Sequence, residues 1–455
     1  MKLRMNVRKI AVVATVVLPT LLIAQQPKIA NFRPYDQTGI NVFETSKADS
    51  VPFDGLKVRW GAGFTQQYQS LKHKNTALNN GGNTVATAQA NKLYALSPGF
   101  MTAQANLFMD VQLADGIRLN VTSYLSARHH NETWVKGGYI QFDKVPFKGK
   151  MWTDLMKLAT IKIGHFEVNY GDQHFRRSDG GEALQNPFME GNIADAFATE
   201  IGGEVYLQKN GLFGMLGLTN GMIKGHVDSV APTVADANTN RSPSIYLKGG
   251  FDKKLNDDVR LRVSGSFYHN SSSAGSGLTL YGGDRTGSNY QNVMEKWVTN
   301  PLTANAAAQA STSIYTSGRF NPGFSKKVDA LMLNTFLKVN GLELFTTFET
   351  ASGRTKTETK NRKMTQLAGD VVYRFGKNEN VFVGAKYNTV KAALAGFTTG
   401  DVTVDRVAFA GGWFITKNVL MKAEYMVQNY KNFPVADFRN GGKINGLVIE
   451  AVVGF

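Results

Sequence analysis

The segment that ends the chain alternates without a break. Leu447, Ile449, Ala451, Val453 and Phe455 fall on one parity, and Gly446, Val448, Glu450, Val452 and Gly454 on the other. Side chains of a strand repeat every second residue, so this pattern gives one apolar face and one mixed face. The alternation recurs along most of the chain. Leu56, Val58, Trp60, Ala62 and Phe64 oppose Lys57, Arg59, Gly61, Gly63 and Thr65. Ala103, Ala105, Leu107, Met109, Val111 and Leu113 oppose Gln104, Asn106, Asp110 and Gln112. After Asp115-Gly116 the apolar parity resumes at Ile117, Leu119 and Val121, with Arg118, Asn120 and Thr122 opposite. Strand, Asp-Gly, strand is a strong hairpin signal.

Further strands are predicted at Trp134–Phe142, Ala159–Val168, Ala198–Gln208, Leu212–Thr219, Ser244–Phe251 and Asp258–Phe267. Beyond a long gap come Ala330–Val339, Leu342–Thr350, Thr365–Phe375, Val381–Val390, Val404–Ile415, Val419–Gln428 and the closing strand. The count is about sixteen, within a range of roughly 14–18, and even numbers are the rule for bacterial barrels. Connections alternate between short turns, such as Lys209-Asn210-Gly211 and Asn340-Gly341, and long stretches, the longest being 269–326. Short periplasmic turns and long extracellular loops are the asymmetry of an outer-membrane barrel. The 269–326 loop is rich in Ser, Gly, Asn and Ala, and can extend outward or fold inward as a constriction. Residues 150–158 read as a short helix between hairpins.

The outward parity is apolar on many consecutive strands, while the inward parity is often charged or Gly. That is the inverse of a soluble sandwich, and it predicts an all-β, transmembrane antiparallel β-barrel over residues 51–455. Trp60, Trp134, Tyr373, Tyr387, Trp413 and Tyr425 near strand ends suit interfacial girdles. Lys2, Arg4, Arg8 and Lys9 precede the apolar run Ile10 to Ile23, so residues 1–24 read as a signal peptide with Ala24-Gln25 at the cleavage point. Residues 25–50 do not alternate and form either a periplasmic extension or a small plug. The chain has no cysteine, which excludes a disulfide framework and thiol chemistry. Its net charge of +16 is spread along alternating segments, without the concentrated patch that a nucleic-acid binder presents.

The predicted lumen parity carries Lys57, Arg59, Arg118, Arg128, Arg260, Arg262, Lys386 and Lys422 as candidate wall charges. Glu200, Glu204, Glu343, Glu349, Asp370, Glu424 and Glu450 share it. A modestly positive lumen enriches anions at its mouth. The alternative is a cross-lumen ladder of ion pairs that closes the barrel. Gly164-His165-Phe166-Glu167-Val168-Asn169-Tyr170-Gly171-Asp172 leads out of a strand into His174, Phe175, Arg176, Arg177, Ser178 and Asp179. Arg176 and Arg177 are candidate loop contacts for an anion, with Asp172, Asp179 and Glu182 near enough to neutralise them instead. His165, His174 and Asp172 do not have the spacing of a metal site, and no metal or cofactor is expected. Ser123, Ser264 and Ser266, with His129, His130, His165, His174 and His269 as potential bases, give no convincing hydrolase constellation, so no enzyme is expected.

The arrangement resembles the porin-like outer-membrane proteins of Bacteroidota, distantly similar to the phosphate-selective porins. The resemblance is carried by Gly164–Asp172, by Arg176-Arg177-Ser178-Asp179 and by Asn186-Pro187-Phe188. It implies a channel of 16 or 18 strands for small anions or polar solutes, with the Arg-Arg-Ser stretch near the mouth or constriction. The partners it implies are outer-membrane lipid and lipopolysaccharide, small hydrophilic solutes, and further copies in a homotrimer or a larger membrane complex. Passive diffusion of small hydrophilic solutes, with a mild preference for anions, phosphate among them, is the expected activity; a structural or accessory barrel subunit is the alternative.

Overall fold

A computed structural model describes residues 26–47, 51–80, 90–126, 132–178, 180–221, 229, 231–235, 237–273, 280–284, 287–296, 317–397 and 400–455. The expected signal peptide lies outside these residues, as do Arg128, His129, His130 and Asp179. The strands, in chain order, are β1 (Lys57–Lys74), β2 (Gly99–Phe100), β3 (Gln104–Ala114), β4 (Ile117–Ser126), β5 (Glu132–Phe142) and β6 (Ala159–Glu167). Then come β7 (Thr199–Lys209), β8 (Leu212–Thr219), β9 (Ser244–Lys254), β10 (Val259–Asn270), β11 (Lys327–Val339) and β12 (Leu342–Arg354). The last are β13 (Arg362–Phe375), β14 (Val381–Ala393), β15 (Asp401–Thr416), β16 (Val419–Lys431) and β17 (Lys443–Gly454). β2 and β3 both pair with β1 and make one stave, so the sheet is a closed 16-stranded antiparallel barrel.

Closure is made by the first and last strands. β1 and β17 pair from Gly63 opposite Gly454 to Lys74 opposite Lys443. Phe455 N donates to the Ala62 carbonyl at 3.0 Å, and Ala62 N donates to the Phe455 carbonyl at 2.9 Å. No edge is left to expose unpaired N–H and C=O groups, which is the condition for crossing a bilayer with strands. The short turns gather on one rim. At Lys209-Asn210-Gly211 the backbone takes φ of 54° at Asn210 and 83° at Gly211, the left-handed pair that a tight hairpin turn demands.

The outer face is apolar. Trp60, Ile163 and Phe409 are each more than half exposed, and Leu107, Leu216, Leu333, Leu367, Val383 and Ile449 continue the belt around the barrel. A band this size would cost solubility in water, and it suits hydrocarbon. Among the described residues no helix is long and apolar enough to cross a membrane, so the strands do the crossing. The protein is a multi-pass β-barrel of the outer membrane. Several strands run further toward the long-loop rim than alternation alone predicts. β1 continues through Lys72 and Lys74, and β16 to Lys431, where exposed lysines replace the outward apolar residues that mark a strand within lipid.

The interior differs from the wide, wet lumen that the alternation implies. The β6–β7 loop (168–198) folds inward, and Leu184, Phe188, Met189 and Ile193 are fully buried. The described parts of the β10–β11 loop also pack inside, with Tyr281, Tyr290, Val293 and Phe324 buried. Inward positions on the facing wall are apolar to match: Met332, Met364, Val372, Phe382, Met426 and Val448 belong to the same buried cluster. Burial of that surface fixes the loops against the wall at about 25 cal/mol per Å2 of apolar area removed from water.

Candidate functional site

Residues 26–47 reach the walls from within. Arg33 donates to the Gly39 carbonyl at 2.8 Å, the Phe175 carbonyl at 2.6 Å and Gln185 Oε1 at 2.8 Å. Tyr35 donates to Asp110 at 3.0 Å, and Asn41 donates to Glu343 at 2.6 Å. Phe43 packs among Phe175, Phe336 and Phe345. Burial pushes the Arg33 guanidinium down to about 10, with Glu182 and Glu167 holding it up, so it stays charged at neutral pH.

The β6–β7 loop is fixed at its start by Asp172. Both Asp172 oxygens accept from Arg262, Nε and Nη2 each at 2.8 Å, and Oδ2 also accepts from Ser264 at 2.7 Å. Lys248 Nζ lies 2.8 Å from Oδ1. Burial raises the proton affinity of this carboxyl, but Lys248 and Arg262 outweigh it and hold the group far below the usual carboxylate range. Glu44 of the N-terminal segment shares both cations, at 3.0 Å from Lys248 and 2.7 Å from Arg262. Gly171 is required here. Its φ is 70°, and a Cβ would stand 2.1 Å from Met332 Sδ.

The loop then crosses to the opposite wall. Met189 N donates to Glu424 at 2.9 Å, Ile193 N to Asn388 at 2.5 Å, and Ala194 N to Gln366 at 2.9 Å. Lys422 Nζ donates to the carbonyls of Ala183, Asn186 and Phe188 at 2.9–3.1 Å while pairing with Glu450 at 2.7 Å. Backbone groups of an irregular segment are thus satisfied by strand side chains.

A cavity of about 270 Å3 remains on the β4–β7 side, between the N-terminal segment, the β6–β7 loop and the wall. Its lining extends from Asp143 and Gln208 at the short-turn rim to Lys136 and Glu167 toward the loop end. Lys162 stands over Tyr139 at 4.2 Å and over Phe166 at 4.8 Å, with Glu204 at 3.6 Å. Lys136 reaches Glu182 at 3.2 Å and Asp284 at 3.1 Å. His174 Nε2 is 2.7 Å from Asn169 Oδ1, and burial, reinforced by Lys248, holds its imidazole well below its ordinary value. It is therefore neutral at pH 7.

The candidate residues read from the sequence are dispersed among ion pairs. Lys57 pairs with Asp54 at 2.6 Å, and Arg59 Nε donates to Asp110 at 3.0 Å. Arg118 pairs with Asp143, and Arg260 grips Asp252 at 2.8 and 2.7 Å. Arg262 belongs to the Asp172 cluster, and Lys386 lies 3.6 Å from Asp370. Arg176 reaches Asp370 at 3.5 Å, and Arg177 grips Asp195 at 2.6 and 3.1 Å. None of these residues lines the cavity. Lys136, Lys162, Arg33 and Glu44, which the sequence reading did not single out, stand there or support it. Lys162 carried a signal, since it alternates with Ile161 and Ile163. Ser264 and Ser266 hold the loop, at Asp172 and at the Gly171 N–H, with no histidine bonded to either among the described residues. No group of three or more potential metal ligands occurs among the described residues.

No family model matches the sequence, and no curated protein does. Solved structures do. An anion-selective porin from Comamonas acidovorans superposes with a TM-score of 0.50 at 8% identity, covering 88% of this chain and 100% of the porin. OmpF of Salmonella typhi, in complex with daunomycin, gives 0.49 at 10% identity, covering 88% and 98%. The outer membrane channel DcaP of Acinetobacter baumannii gives 0.47 at 10% identity, again covering 88% and 98%. The likeness is one of fold: the chain has the barrel architecture of outer-membrane porins.

Proposed function

We propose that this protein is a narrow diffusion channel for small hydrophilic solutes, with a mild preference for anions, phosphate among them. The observation that carries this reading is the cavity along β4–β7, the space that the N-terminal segment and the β6–β7 loop leave beside the wall. Solutes move down their gradient with no bond chemistry. The N-terminal segment acts as a plug that narrows the path. The charges support a weak anion preference. Of the lining carboxylates, Glu44 is backed by Lys248 and Arg262, and Asp143 by Arg118 and Lys47. Arg33 hydrogen-bonds only neutral oxygens among the described residues, and Lys162 has one carboxylate at 3.6 Å. Glu167 and Glu182 also line the cavity and act on Arg33, so the lining carries both signs and the anion preference rests on Arg33 and Lys162. Conductance of the purified, refolded barrel in a planar bilayer, followed by the reversal potential across a salt gradient, tests both parts. Small stable steps with anion preference are expected. Folded, inserted protein without steps would overturn the channel, and cation preference would overturn the selectivity.

A second reading, an accessory barrel in a larger outer-membrane assembly, is favoured by the packed interior, where two loops and Phe43 of the N-terminal segment pack against the inward face of the wall. Isolation from native membranes in mild detergent decides it: partners at fixed ratio support it, and a single species counts against it.

A further inference from the structure

The inward-folded loop places one arginine where its charge is poorly met. Arg176 on the β6–β7 loop and Lys386 on β14 are both buried, at 1% and 2% exposure. Both reach a single carboxylate, Asp370 on β13, and both reach it at long range. Arg176 Nη1 is 3.5 Å from Oδ2 and Lys386 Nζ is 3.6 Å from Oδ1. Arg176 Nε and Nη2, the paired-donor edge of the guanidinium, have no hydrogen-bond partner among the described residues, and neither has Lys386 Nζ. Their other neighbours are rings. The Arg176 guanidinium lies 4.7 Å from the Phe345 centroid, and Lys386 Nζ lies 5.4 Å from that of Phe188.

The neighbouring carboxylates are committed elsewhere. Glu343 accepts from Arg374 Nε at 2.8 Å and from Asn41 at 2.6 Å. Glu424 accepts from the Tyr290 hydroxyl and from Met189 N. A third cation, Arg406 on β15, bonds only neutral oxygens among the described residues: Gln428 at 2.7 Å and the carbonyls of Gly191 and Gly318 at 3.2 and 3.1 Å. Glu424 has neutral donors, so it and Asp370 are the two carboxylates that face the three cations Arg176, Lys386 and Arg406, and three strong donors lack acceptors. Either condition is costly alone. A water molecule would satisfy donors yet leave the charge excess in place. An anion corrects both.

We propose that Arg176 and Lys386 hold a small inorganic anion of halide size beside Asp370, gripped by the Nε–Nη2 edge of the guanidinium, which Asp370 leaves free, and by the Lys386 ammonium. The rings of Phe345 and Phe188, 4.7 and 5.4 Å from the two cations, flank the site and favour a small ion. Arg176, Lys386 and Asp370 all lie outside the cavity lining. The ion is thus a resident part of the loop's anchorage and not a solute in passage, and the inference goes beyond the channel reading.

Two measurements test it. Crystals of the purified barrel grown in bromide should show an anomalous peak in contact with Arg176 Nε and Nη2. Ordinary water density there without anomalous signal overturns the site. Unfolding of the wild-type barrel should respond saturably to bromide or chloride at constant ionic strength made up with gluconate. At a halide concentration of about 100 times Kd, the unfolding constant falls about 100-fold. Arg176→Gln and Lys386→Met should abolish that response, and an equal response in either variant, or to gluconate itself, overturns the proposal. If the variants do not fold, the bromide crystals decide alone. Neither measurement depends on conductance, so this site and the channel stand or fall separately.

Discussion

Asp172 and Arg262 meet edge to edge, with two N–H···O bonds of 2.8 Å that tie the start of the β6–β7 loop to β10. Lys248 and Ser264 complete the carboxylate's partners, and Glu44 binds the same two cations from the other side. A buried pair of this kind contributes little over an apolar contact, but removal of one partner strands the other.

Asp172→Asn is therefore expected to lower stability by about 3–5 kcal/mol, because Lys248 and Arg262 retain only Glu44 and Asp252. Urea unfolding of the barrel in detergent, read beside protease cleavage of the β6–β7 loop, measures it. Unchanged stability with an intact loop would refute the anchor.

Gly171→Ala tests the close passage of the loop across β11. The new Cβ meets Met332 Sδ, and the left-handed backbone is strained for alanine, at a joint cost of about 1–3 kcal/mol. Measured against Met332→Ala alone, which bears its own cavity cost, the double variant should recover only part of the loss in the same unfolding measurement, since the φ strain remains. Full recovery would assign the whole effect to the side-chain clash.

His174 gives a pH dependence with a definite sign. Its folded-state value is depressed, by burial first and by Lys248 next, so the native state favours the neutral ring. The stability this contributes is present above the unfolded value of about 6.5 and is lost as pH falls below it, by up to about 1.4 kcal/mol per pH unit until the folded ring itself titrates. Comparison of unfolding midpoints between pH 7.5 and 5 for wild type and His174→Gln isolates the effect. A parallel decline in both proteins would exclude His174 as its source.

Lys162→Gln should shift the reversal potential toward cations, and Lys162→Glu should shift it further, because Lys162 faces the cavity with one carboxylate at 3.6 Å. Lys391→Gln, exposed at the loop end of β14 and outside the cavity lining, serves as the comparison for general charge loss. Equal shifts from both positions would remove the path along β4–β7.

Arg33→Ala should raise unit conductance. It frees three acceptors that fix the N-terminal segment to itself, to Phe175 and to Gln185. Single-channel recording reads the change directly, and unaltered steps would show that this segment does not narrow the path.

The barrel was legible in the sequence because lipid imposes a local rule. Leu212, Leu216 and Leu218 of β8 and Leu447, Ile449, Ala451 and Val453 of β17 fall on the outward parity, and the predicted bounds Leu212–Thr219 match the strand at both ends. Turns such as Asn210-Gly211 announce themselves by the residues that tolerate left-handed backbone. The site was not legible, because it is built from separations that no local pattern records. Asp172 is 90 positions from Arg262, and Asn41 is 302 from Glu343. Arg118, Arg262, Lys386 and Lys422, assigned to a wet wall, are buried, because the parity of a strand does not say whether water or a loop lies opposite. Phe382 and Met426 on the inward face were the available hint that something packs there.

The short N-terminal segment touches the beginning, middle and end of the wall. Tyr35 meets Asp110, Asn41 meets Glu343, and Gln37 N donates to the Lys417 carbonyl at 2.8 Å. Although it is synthesised before every strand, its docking surface exists only after β17 has closed on β1. Its full set of contacts is therefore completed in the reverse of translation: a segment made ahead of the whole wall finishes docking only when the wall is in place.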